Sequence, residues 1–171
     1  MVMEKRRNFL RFFAYSLEII ILYILCGTPQ LMPEIFGSKP CLLLPVALTI
    51  AVFESETVAM SFGFVCGVLT DIGFSGKIGF YTVVLTLLCF AIGYCARNFF
   101  VTNLLNASII GIVSITLLIL IHFWLNVSLQ DIPDAGMHFV KHYISRVLYT
   151  GAFFVPLYFL GRLLCLTLKN E

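Results

Sequence analysis

Charge is what this chain has least of. Lys, Arg, Asp and Glu together make up 12% of its 171 residues, where a soluble domain carries about 25%. Hydrophobic residues make up 60% and the mean hydropathy is +1.01. A water-soluble domain of this size cannot hide so much apolar surface, because most residues of a small domain still touch water. The natural solvent is lipid. A net charge of +2 gives no basis for nucleic-acid binding.

Paired cysteines are missing too. Cys26, Cys41, Cys66, Cys89, Cys95 and Cys165 form no C-x-x-C pair, and most lie inside apolar runs. They read as small hydrophobes rather than disulfides or metal ligands. No nucleophile elbow, phosphate-binding loop, dinucleotide fingerprint or zincin motif is present. Polar residues do not converge near one interface, which argues against an enzyme. The basic front MEKRRNFLRFF leads into an apolar run without a small-x-small cleavage site, so it reads as an uncleaved span.

What is there is a succession of apolar segments. A spanning helix needs about 20 such residues. Six candidates run over about 9–26, 40–53, 57–74, 78–96, 104–125 and 147–168. The second is short, so a tilt, a kink near Pro45 or an extension through the next polar residues is expected. The expected fold is an all-α bundle of six transmembrane helices, and residues 1–171 form one polytopic membrane domain.

Six spans put both termini on one side. With the termini cytoplasmic, Lys5, Arg6, Arg7, Arg11, Arg97, Arg162 and Lys169 lie inside, and Lys39, Lys77, Lys141 and Arg146 outside. That excess favours N-in and C-in. Two glycosylation sequons, at Asn106 and Asn126, carry no weight, since chance matches are common.

The third span holds a ridge. Ser55, Ala59, Gly63, Gly67 and Asp71 are each four residues apart, so on a helix they line one face. Small residues at this spacing let a second helix approach closely, which drives association in lipid. Asp71, near the span's end, has three fates open to it. It can face water, accept hydrogen bonds from the backbone of the turn GFSGKIG, or pair with Lys77.

Other candidates are weaker. Glu18 is the only acid well inside an apolar run; it is expected to pair with Arg11 or another helix, and a transport acid is the alternative. Glu54 and Glu56 point to different helix faces and read as solvated turn charges. His138 and His142, with Asp131 and Asp134 nearby, make a poor metal motif. Their segment reads better as an interfacial helix.

The stretch GFVCGVLTDIGFSGKIG resembles the most recognisable segment of the bacterial rod shape-determining protein MreD family. That segment reads Gly-Phe-x-x-Gly-Leu-x-x-Asp, then a turn and another glycine. Here Gly63, Phe64, Gly67, Val68, Asp71 and Gly79 stand in those places, with Val68 for the usual leucine. Upstream, Pro40 and LLLPVALTIAVF are similar to the family's proline and leucine-rich helix, although Cys41 stands where an acid often does.

The resemblance implies a cofactor-free scaffold of the bacterial plasma membrane, not an enzyme. It implies MreC as the partner, with MreB, RodA and a class B penicillin-binding protein alongside, in lateral-wall peptidoglycan synthesis. It also implies a fold similar to the S components of vitamin transporters. Gly63, Phe64, Gly67, Asp71, Lys77 and Gly79 become the helix-packing or partner-binding residues. The competing function is the S component itself, but the Ala-x-x-x-Ala pair of that class on its first helix is absent: Ala14 is followed four residues later by Glu18.

Overall fold

The computed structural model describes residues 2–28, 41–75, 79–98, 104–126 and 145–169. Among them there are six helices and no strand: α1 (Val2–Gly27), α2 (Leu43–Phe53), α3 (Glu56–Thr70), α4 (Phe80–Asn98), α5 (Leu104–Asn126) and α6 (Ser145–Lys169). Four carry stretches long and apolar enough to cross a bilayer: Phe9–Gly27, Glu56–Gly73, Phe80–Asn98 and Leu105–His122. In α6 the apolar stretch is Thr150–Cys165. Large apolar side chains stand exposed along the helices, among them Phe9, Phe13 and Ile24 of α1 and Leu105, Ile109 and Trp124 of α5. Lipid, as apolar as they are, solvates them at no cost. The chain is an all-α membrane protein.

The second helix differs from the expected span. It has 11 residues, about 16 Å of rise, half the roughly 30 Å of hydrocarbon. Every residue from Leu43 to Val52 is buried. Helices α1, α3, α4, α5 and α6 all lie against it. It is therefore the hub of the bundle rather than one of its walls. Pro45 lies in its first turn, where a missing N–H is lost from no hydrogen bond. The hydroxyl of Thr49 is spent locally, donating to the carbonyl of Val46 at 2.8 Å.

The burial of α2 corrects the reading of Glu54. The sequence alone puts it in a solvated turn, but its side chain is only 5% exposed. Because α2 is buried throughout, its C-terminal turn is covered as well. The Nε of Arg11 lies 3.0 Å from Glu54 Oε1, and the Tyr15 hydroxyl donates to the same oxygen at 3.2 Å. Glu56 does remain near the surface, 3.7 Å from a largely exposed Arg97.

These pairs order the bundle along its axis. Arg11, Glu54, Glu56 and Arg97 share one end. Helix α3 runs from there to Asp71, and α4 returns. At the far end His122 of α5 meets Phe80 edge-on and Tyr81 at a tilt, each at 5.4 Å between ring centroids. Between α5 and α6 the fully buried ring of Phe154 lies on the backbone at Gly111, in the space a Cβ there would take.

Candidate functional site

The α3–α4 hairpin is the most closely packed pair in the molecule. The ridge on α3 explains why. A Cβ added at Gly67 would lie 2.5 Å from Thr82 Cα and 2.9 Å from the Tyr81 carbonyl oxygen. One at Gly63 would lie 2.8 Å from Cys89 Cβ and 3.2 Å from the Leu85 carbonyl oxygen. One turn earlier, Ala59 fits because α4 supplies the glycine: a Cβ at Gly93 would sit 3.2 Å from that of Ala59. The two helices thus touch backbone to backbone over most of their length.

Asp71 closes the ridge. After Thr70 the helix widens into a π turn, Asp71–Ser75, and Asp71 is only 1% exposed. Its carboxylate accepts from the backbone N–H groups of Gly79 at 3.0 Å, Tyr81 at 3.0 Å and Thr82 at 2.9 Å. The Thr82 hydroxyl adds a fourth bond at 2.5 Å. The first N–H groups of a helix have no partner inside it, and the helix dipole favours a negative charge there. The residue that follows α3 therefore caps the N-terminus of α4. Of the three fates open to Asp71, exposure to water is not the one taken and backbone N–H groups at the start of α4 are partners; pairing with Lys77 lies outside the described residues. Gly79, at φ 105°, takes the positive-φ backbone that leads into the capped helix, and a Cβ there would meet open space.

The named residues thus divide. Gly63, Gly67, Asp71 and Gly79 build one continuous helix junction. Phe64 lies off the ridge, on the outer face of α3, half exposed. Lys77 falls outside the described residues, as do His138, His142, Asp131 and Asp134. No metal-binding group is present among the described residues.

Glu18 does not pair with Arg11. The two are seven residues apart on one helix, about 10 Å along its axis, and Arg11 is turned to Glu54. Glu18 is 8% exposed, and neither of its oxygens has a hydrogen-bond partner among the described residues.

Sequence reasoning missed Gly93 and Gly111, both of which seat side chains from a facing helix. Gly93 was legible in principle, lying in register with Ala59 on an antiparallel hairpin. Gly111 had no such signal, since its partner Phe154 comes from a helix far along the chain.

The chain matches, over residues 5–168, the family described as rod shape-determining protein MreD. No curated protein and no solved structure matches it. The family match covers the buried hub, the glycine ridge and the Asp71 cap together, so the chain belongs to the MreD family of rod shape-determining proteins.

Proposed function

We propose that this protein is a non-enzymatic scaffold of the bacterial cell-elongation machinery. It sits in the plasma membrane as one six-helix domain, with the half-length α2 buried inside it and both termini in the cytoplasm. It binds a bitopic MreC-like protein and, through it, helps to organise lateral peptidoglycan synthesis with MreB, RodA and a class B penicillin-binding protein. Family membership supports a part in rod shape. The basic residues support the orientation.

The observation that carries the scaffold reading is the Asp71 cap. The most prominent acid of the ridge is spent on four internal hydrogen bonds. It is placed to hold a helix junction, not to meet a substrate. The capped α3–α4 hairpin is thereby held rigid, and the partner reads the surface that it presents rather than Asp71 itself.

Affinity purification of the full chain from its host in mild detergent, with mass spectrometry of the co-purified proteins, tests this. Recovery of a single-span coiled-coil protein with wall-synthesis enzymes is expected. Recovery of two ATPases and a coupling membrane subunit would overturn the reading in favour of a transporter S component.

A further inference from the structure

The scaffold reading leaves Glu18 unused. It is the tenth residue of the 19-residue stretch Phe9–Gly27, which puts it at mid-span. A carboxyl at that depth is costly, by about 2.5–3.5 kcal/mol on insertion scales. Both of its oxygens are buried and without a hydrogen-bond partner among the described residues. The described cations are committed or turned away. Arg11 is at Glu54, Arg97 is 66% exposed beside Glu56, and Arg162 is exposed on α6.

The surroundings of Glu18 are a seam. Helix α1 lies against α2 and α6, while its backbone hardly approaches that of α3. Side chains alone bridge α1 to α3. Tyr15 packs edge-on to Phe62 with ring centroids 5.7 Å apart. Further along, the Tyr23 ring lies where a Cβ of Gly73 would be, 2.9 Å from it. Along α1, Glu18 falls between these two bridges. The helices run parallel here and are bridged by aromatic side chains, and the Glu18 carboxyl of α1 has no hydrogen-bond partner among the described residues.

We infer that Glu18 is the intramembrane recognition point for a partner's transmembrane helix, which lies along the α1–α3 seam and brings a lysine or arginine to the carboxyl. This rests on the scaffold reading, which supplies a single-span partner. Charge complementarity selects the donor. Because the bundle covers both oxygens, a lysine or arginine reaches them on its long flexible stem only as the neighbouring side chains part. A polar contact between helices in lipid strengthens association by about five- to thirty-fold.

Two measurements test it. In the first, the full-length protein is reconstituted in phosphatidylcholine vesicles with a labelled leucine-alanine transmembrane peptide carrying one mid-span lysine, or leucine in its place. Energy transfer should report binding of the lysine peptide about ten-fold tighter, and Glu18→Leu should abolish that preference. Equal binding of both peptides by the unaltered protein overturns the inference whatever the variant does. So does a lysine preference that survives in Glu18→Leu.

In the second, the unaltered protein, Glu18→Gln and Glu18→Leu are purified from the host. Loss of the single-span protein from both variants, with unchanged melting temperatures, supports the inference. Its retention by Glu18→Leu overturns the inference and leaves the scaffold reading standing. Its absence from the unaltered protein overturns both.

Discussion

Thr82 gives Asp71 two hydrogen bonds, one from its backbone N–H at 2.9 Å and one from its hydroxyl at 2.5 Å. The same residue's Cα is what a side chain at Gly67 would strike. One residue of α4 is thus both the stop for the ridge and the donor for the acid that ends it. Packing and capping are a single junction, and mutations at its two parts should fail differently.

Asp71→Ala removes the cap and leaves the N–H groups of Gly79, Tyr81 and Thr82 without it. A lost cap costs about 1 kcal/mol, and hydrogen bonds to a charged group about 1.5–3 kcal/mol. A loss of about 2 kcal/mol or more is expected, read as a lower melting temperature in detergent. Asp71→Asn keeps one acceptor oxygen and should lose roughly half as much. An unchanged melting temperature for Asp71→Ala would contradict the capping role.

Gly67→Ala forces α3 from the α4 backbone, which cannot yield locally, and should cost about 1–3 kcal/mol. Gly63→Ala meets a side chain instead, Cys89. The pair Gly63→Ala with Cys89→Gly should therefore recover part of the loss, while no substitution of Thr82 rescues Gly67→Ala. Melting curves of the singles and doubles check this. Rescue of Gly67→Ala by Thr82→Gly would refute the backbone clash.

Arg11→Ala strands Glu54 in the bundle, whereas Arg97→Ala loosens a pair that water reaches. Breaking a buried pair costs about 3–5 kcal/mol, and breaking an exposed one less than about 1 kcal/mol. Replacing Arg11 and Glu54 together by Met and Leu should restore most of the stability lost by Arg11→Ala alone. A double mutant as unstable as the single one would show that the pair does more than neutralise itself.

Gly111→Ala puts a methyl group against the Phe154 ring. Phe154→Ala opens a cavity, at about 3–5 kcal/mol. Combined, the two should cost clearly less than the sum of the single losses, since each relieves the other. Additive losses in a double-mutant cycle would mean the two are not in contact.

The ridge was legible because a helix repeats its faces about every four residues, so Ala59, Gly63, Gly67 and Asp71 line up whatever surrounds them. The location of α2 was not. In lipid the outside of a helix is as apolar as the core, so LLPVALTIAVF reads the same whether it faces acyl chains or five other helices. Glu54 is misread from sequence for that reason: a turn charge is solvated only if the helix before it ends at the surface.

The sequence by itself determined the solvent, the apolar segments and the face on which α3 would pack, because these follow from composition and helical period. Only the tertiary structure decided which atoms meet the polar groups. It turned Asp71 to the α4 N-terminus and Arg11 to Glu54, and it left Glu18 with no hydrogen-bond partner among the described residues. Hydrogen bonds and ion pairs are made over about 3 Å, and residues far apart in the chain come that close only through the packing of the whole bundle.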